Sequence, residues 1–154
     1  MRLSELLSPD RILILSNDES SLGKQHLLRH LAILLSPESH VEAGLIEATF
    51  VEREGVQSTG IGGGVAIPHG AMAQLATQCA ALIVSKVGVN FDAIDGAPVH
   101  LIFGVIGPKH AAGVHLKTLA RISRVLRNRD FCIGLSQHTD AGDIYRSLVS
   151  EDGP

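Results

Sequence analysis

The chain has no tryptophan, one tyrosine and four phenylalanines in its 154 residues. So little aromatic surface gives nucleobases almost nothing to stack on. The formal net charge of −3 supplies no basic field for a polyanion either. A general nucleic-acid role is excluded on both counts. Cysteine is scarce too: Cys79 and Cys132 lie far apart, with no C-x-x-C spacing, which fits a reduced cytoplasmic protein. The longest apolar run, Leu101 to Gly107, falls far below the ~18–20 residues of a membrane span. The opening stretch M-R-L-S-E-L-L-S-P-D lacks the apolar core of a signal peptide. No G-x-S-x-G elbow supports a serine hydrolase, and no internal repeat, low-complexity tract or linker breaks the chain.

What is present suits one globular domain. Hydrophobic residues make up 45% and charged residues 19%, enough apolar side chains for a sizeable core. Residues 1–7 read as a short helix or arm ended by Pro9, and Ile12 to Leu15 as a strand or extended segment. Apolar residues at 27, 28, 31, 34 and 35 give the run from Leu22 to Leu35 a helical stripe. Ser20 or Ser21 is a candidate cap for it and Pro37 its stop. A second helix is expected over Val41–Glu52. Strands are expected at Val65–Ile67, Ala80–Val87 and Val99–Ile106, the last closed by Gly107-Pro108. Helices follow at Val114–Arg127, 130–136 and Ala141–Val149, and the tail E-D-G-P reads as frayed. Strands alternating with helices predict an α/β domain, a mostly buried sheet covered on both faces.

The stretch from Arg53 to Gly70, R-E-G-V-Q-S-T-G-I-G-G-G-V-A-I-P-H-G, is the chain's richest chemistry. It is not a nucleotide loop. Gly55 and Gly60 have P-loop spacing, but Ile61 stands where the lysine belongs. A dinucleotide fingerprint begun at Gly60 and Gly62 ends on Val65. Pro68 fixes φ just before His69 and puts that imidazole on a stiff stem after a flexible loop. Histidine forms covalent intermediates and keeps a neutral, nucleophilic fraction near pH 7. His69 is therefore the candidate nucleophile, against the plainer reading of a surface histidine.

His115 is the candidate second member. On a helical wheel Leu116, Leu119, Ile122, Ser123 and Leu126 form the inward face, with His115 at its edge, near a helix N-terminus that favours anions. A semi-buried structural histidine is the competing reading. Arg53, beside Glu52 and Glu54, is either a surface ion pair of little energetic value or a two-pronged phosphate contact. His26 and His30 at i, i+4 are a possible metal pair, but Leu27 stands where a zinc protease has glutamate and no third ligand is apparent. Arg121, Arg124, Arg127 and Arg129 read as a solvated stripe or as the match for an acidic partner.

These motifs together resemble a known family. The run R-E…S-T-G-I-G…V-A-I-P-H-G, followed by F-D-A-I-D-G-A-P-V-H-L-I-F-G-V-I-G-P and H-L-K-T-L-A-R-I-S-R-V-L, is similar to enzyme IIA of the bacterial phosphoenolpyruvate phosphotransferase system, fructose/mannitol class. The likeness runs from about Leu6 to Leu148 and looks most like the nitrogen-regulatory branch. It implies a mixed β-sheet between layers of helices. It implies that His69 is the phosphorylated histidine, His115 the second active-site histidine and Arg53 the phosphate-facing arginine. Ser58 and Thr59 match the S-T of the same loop, with an orienting role toward a ring nitrogen or a phosphate oxygen. The implied partner is a small phosphohistidine carrier protein of the HPr type, with no cofactor and no metal required. Three functions stay open here: a nitrogen or metabolic regulator, a sugar-specific enzyme IIA that passes phosphate to an enzyme IIB, and a binding module that has lost phosphorylation.

Overall fold

The computed structural model describes residues 1–154. Its elements run α1 (Leu3–Leu6), β1 (Ile12–Leu15), α2 (Lys24–Ser39), α3 (Ala43–Val56), β2 (Gly60–Gly62), β3 (Val65–Ala66), β4 (His69–Met72), β5 (Cys79–Val89), β6 (Val99–Pro108), α4 (Ala112–Val125), α5 (Arg129–Ser136) and α6 (Ala141–Asp152). The six strands form one mixed sheet in the order β1-β5-β6-β3-β2, with β4 also paired to β6. β5 and β6 are antiparallel, whereas β1 runs parallel to β5, and β3 and β4 run parallel to β6. The expected α/β architecture, a mixed sheet with helices on both faces, is the one observed.

Alternation along the two central strands splits the core in two. Ala81, Ile83, Ile102 and Ile106 face α2 and α3, where Leu27, Leu31, Leu35, Ile46 and Phe50 pack on them. Ala80, Leu82, Val84, Leu101, Phe103 and Val105 face the other way, onto Ile122, Val125, Ile144 and Leu148 of α4 and α6. Being buried on both faces explains why β5 and β6 read as near-continuous apolar runs. Cys79 sits in the first half-core and Cys132 in the second, so the sheet separates them and no disulfide between them is possible. Burial pushes both thiols up to about 11. Their unpaired state thus follows from the fold and carries no information about compartment.

Several boundaries differ from the sequence reading. α2 begins at Lys24 behind Gly23, at φ 91°, and Ser20 and Ser21 form a separate turn instead of a cap. Pro37 does not stop α2, which continues to Ser39. So near the end the proline deprives only the Ile33 carbonyl of its donor, and Ile33 is exposed to water that can replace it. α3 runs to Val56 and so includes Arg53. The C-terminal tail is not frayed through Asp152. That carboxylate is buried, accepts from the Leu3 amide at 3.0 Å and from Arg121 Nε at 2.6 Å, and ties α6 to α1 and α4. Burial alone raises its pKa, but those two bonds and the Arg124 charge outweigh it and hold the carboxyl below 3.8. α5 and α6 carry side-chain caps: Asn128 accepts from the Phe131 amide at 3.1 Å and Asp140 from the Gly142 amide at 2.9 Å.

α2 crosses β6 at Gly104, where a Cβ atom would lie 2.9 Å from Leu31 Cδ1 in a fully buried contact. Gly104→Val is expected to cost about 1–3 kcal/mol by overpacking, and Leu31→Ala about 2–5 kcal/mol by leaving a cavity. The double variant is expected to be more stable than the sum of the two losses, because each change relieves the other. Urea unfolding of the four proteins checks this, and strict additivity would show that the two residues are not packed against each other.

Candidate active site: two histidines on one face of the sheet

The site rests on a strand that breaks. β3 and β4 share one edge of β6: Val65 and Ala66 pair with Leu101 and Ile102, and His69 through Met72 pair with Val105 through Pro108. Pro68 stands between them. It has no N–H for a ladder, but its carbonyl accepts from the Val105 amide at 2.9 Å, so the break is pinned to β6. What reads in the sequence as a glycine loop is the β2–β3 hairpin, with Gly63 and Gly64 at φ 66° and 80°. Two successive left-handed residues are what a two-residue hairpin turn demands, so the triple glycine has a structural reason.

His69 opens β4, a strand the sequence reading missed, and is half-buried. Its Nδ1 donates to the Ile67 carbonyl at 2.8 Å. A carbonyl only accepts, so Nδ1 carries the proton and Nε2 keeps its lone pair. The group that fixes the ring is therefore the backbone two residues upstream. His115 lies with its ring centroid 6.1 Å from that of His69. It belongs to the buried side of α4 together with Thr118, Ile122 and Val125. The wheel placed it only at the edge and put Leu116 inside, yet Leu116 is 68% exposed. Both ring nitrogens of His115 are buried without a hydrogen-bond partner. Burial, and then the charge of His69, depresses its pKa below 6.5. The ring fits because residue 107 is glycine: a Cβ there would stand 2.6 Å from His115 Nδ1. The Gly-Pro signal read as a strand end conceals this need for space.

Arg53 sits in the last turns of α3, half-buried, and donates from Nη1 to the Gln57 carbonyl at 2.9 Å. It makes no ion pair. Its neighbour Glu54 is engaged elsewhere: the buried carboxylate meets Lys24 Nζ at 2.6 Å and receives the Thr59 amide at 3.1 Å. An unpaired guanidinium and His69 line one cavity of about 260 Å³, walled on the far side by Leu119 and Ser123 of α4. Ser58 and Thr59 also line it, but their hydroxyls are committed to the loop itself. Ser58 Oγ donates to the Phe91 carbonyl at 3.2 Å and accepts from the Gly60 amide at 3.1 Å, while Thr59 Oγ1 donates to Glu54. Neither touches a ring nitrogen of His69; it is the Ile67 carbonyl that orients the ring. Lys24 and Glu54, which clamp the loop, were not foreseen; the adjacency of Arg53 and Glu54 was the only signal.

Two larger cavities differ from it: one is lined by His100 and Arg129 but holds no second imidazole, and the other holds no histidine at all. One of about 370 Å³ lies between the β2–β3 turn and α5, and one of about 680 Å³ lies under Lys117, Arg121, Arg124 and Arg127. What sets the smaller one apart is the second ring, His115, 6.1 Å from His69. His26 and His30 do approach, Nε2 to Nε2 at 2.9 Å on the outside of α2, but no group of three or more metal-binding side chains converges anywhere. No helix is long and apolar enough to cross a membrane.

The mixed sheet thus presents His69 beside His115 of α4, with an arginine free of carboxylate partners at the cavity wall. Residues 5–151 match the family described as phosphoenolpyruvate-dependent sugar phosphotransferase system, EIIA 2, and the chain belongs to that family. A nitrogen regulatory protein of Pseudomonas aeruginosa is 33% identical over 150 residues, covering 97% of this chain and 96% of that one. The fructose-specific EIIABC component of Bacillus subtilis is 31% identical over 131 residues, but these are only 20% of its length. The crystal structure of nitrogen regulatory protein IIA-Ntr from Neisseria meningitidis superposes with a TM-score of 0.85 at 32% identity, over 95% of this chain and 98% of that one.

The depressed pKa of His115 has a sign. Below 6.5 the unfolded chain takes up the proton before the folded one does. Its contribution to stability is complete above 6.5 and is lost as the pH falls through the folded value. Urea unfolding at about pH 7.5 and about pH 5 is therefore expected to show a smaller acid loss in His115→Gln than in the wild type. Equal losses would contradict the neutral, desolvated state of this ring.

Proposed function

We propose that the protein accepts a phosphoryl group on His69 Nε2 from a phosphohistidine on a small carrier protein of the HPr type, and that it acts as a nitrogen or metabolic regulator through protein contacts. The observation that carries this reading is the pairing of a nucleophilic Nε2, freed by the Nδ1–Ile67 bond, with an arginine that has no carboxylate partner in the same cavity. The nitrogen–phosphorus bond of the carrier breaks and its ring nitrogen keeps the electron pair; a bond from His69 Nε2 to phosphorus forms. Two such bonds have similar energies, so the step runs in both directions. A loose transition state needs position and charge more than covalent assistance. Arg53 supplies a planar cation for two phosphoryl oxygens, and His115 a second nitrogen edge beside His69.

The regulatory branch is favoured over sugar uptake by likeness. The nitrogen regulatory relative is 33% identical over 97% of this chain, against 31% over 84% for the fructose-specific one, and the IIA-Ntr structure superposes at a TM-score of 0.85. Such a protein works in the cytoplasm, where the carrier is.

The test is intact-mass analysis after mixing with phosphoenolpyruvate, the first enzyme of the relay and its carrier. Wild type is expected to gain one acid-labile phosphate and His69→Ala none. Arg53→Ala is expected to gain it about 10²-fold more slowly, the cost of removing one charge-stabilising donor. No adduct on the wild type with a competent carrier overturns the transfer reading and leaves a binding module.

A further inference from the structure

Three buried side-chain atoms in the whole protein lack a hydrogen-bond partner: Gln78 Oε1, His115 Nδ1 and His115 Nε2. Buried polar atoms are almost always satisfied, so a cluster of exceptions asks for an explanation. These three are not scattered. The point where a Cβ of Gly107 would stand lies 2.6 Å from His115 Nδ1 and 3.4 Å from Gln78 Cγ. Both residues are more than nine-tenths buried, at 8% and 6% exposure.

Sheet register explains the meeting. Cys79 pairs with Ile106 and Ala80 with Val105, and one further step along that antiparallel ladder brings Gln78 beside Gly107. On the opposite edge of β6, Ala71 pairs with Gly107 and His69 with Val105. β4, β6 and the residue just before β5 thus present, side by side, His69, the glycine on which His115 rests, and Gln78. His115 stands between the other two, and its Nδ1 edge is the one turned to Gly107. The amide nitrogen of Gln78 has only a distant contact, 3.9 Å to Met1 Sδ, so nothing holds the amide in another role.

On the basis of the phosphoryl-transfer reading, we propose that Gln78 is a positioning residue. Its Oε1 receives an Nδ1–H from His115 when a phosphoryl group stands on His69, which leaves the Nε2–H of His115 to serve that group. The proton on Nδ1 comes from solvent as the ring turns cationic beside the new dianion; the only bond formed to phosphorus is the one from His69 Nε2. The resting site, with three unmet atoms, is thereby completed by its own product. Positive charge on His69 opposes protonation of His115, whereas a phosphoryl group on that ring brings negative charge; this reversal is the trigger.

The experiment follows the His115 ring by proton–nitrogen correlation spectra across pH, before and after labelling with phosphoramidate, which needs no carrier. Wild type, Gln78→Leu and Gln78→Glu are compared, with circular dichroism to establish that each is folded. In resting protein Gln78→Glu is expected to raise the His115 pKa by about 1–3 units, as an opposite charge within ~4–6 Å does. After labelling, wild-type His115 is expected to titrate at least about one unit higher than in Gln78→Leu. A His115 pKa unmoved by Gln78→Glu overturns the pairing, and equal values in labelled wild type and Gln78→Leu overturn the role. If neither phosphoramidate nor the carrier labels His69, the transfer reading fails and the trigger with it; the resting Gln78→Glu shift still decides whether Gln78 and His115 are partners. Should Gln78→Leu not fold, Gln78→Met replaces it.

Discussion

One edge of β6 has to be filled by two short strands, and the site depends on that constraint. A continuous strand beside β6 would present residues 65–72 in strict alternation. Pro68 forbids it, since it cannot donate to the ladder. The chain instead anchors through the Pro68 carbonyl and restarts at His69. The break also leaves the Ile67 carbonyl free of β6, and His69 Nδ1 takes it. A missing backbone donor thus sets both the position of the imidazole and its tautomer.

Around this edge the protein tolerates polar atoms that it satisfies everywhere else. The loop facing the cavity is tightly bonded: Lys24, Glu54 and Thr59 form a buried charged chain, with Lys24 also 4.9 Å above the Phe91 ring. By contrast His115 is buried with no partner for either nitrogen. An unmet buried nitrogen costs about 1–3 kcal/mol. The rest of the core carries that cost, and the return is a neutral ring beside His69 with donor and acceptor capacity held in reserve. Rigid surroundings and an unsatisfied centre belong together, because a mobile loop would let water or the Ser58 and Thr59 hydroxyls quench it.

The long apolar stretches of this fold were legible, and the short polar ones were not. β5, β6 and α4 announce themselves by burial on two faces or one, and the run through Pro68 and His69 marks its own chemistry. β4 did not, since His-Gly-Ala-Met has neither alternation nor branched side chains; pairing with β6 makes it a strand. The inward side of α4 was misjudged because apolarity was equated with burial. Leu116 is displayed and His115 is hidden, the reverse of the usual order. Gln78, Glu54 and Gly107 matter through contacts across strands, and no spacing in one dimension reports those. Ser58 and Thr59 were drawn to the right cavity, but neither reaches a ring nitrogen, since only coordinates reveal which atoms a hydroxyl already serves.

The parallel ladder between β4 and β6 has a kinetic consequence. His69 and Val105 are far apart in the chain, and closing such a connection is among the slow, late events of folding. Helices α2 and α3 are local and stand next to each other, so they can form long before β4 docks. A chain with full helix content can therefore still lack its paired histidines. In refolding experiments the contact between the two imidazole rings, more than any helical signal, marks the molecule that has finished.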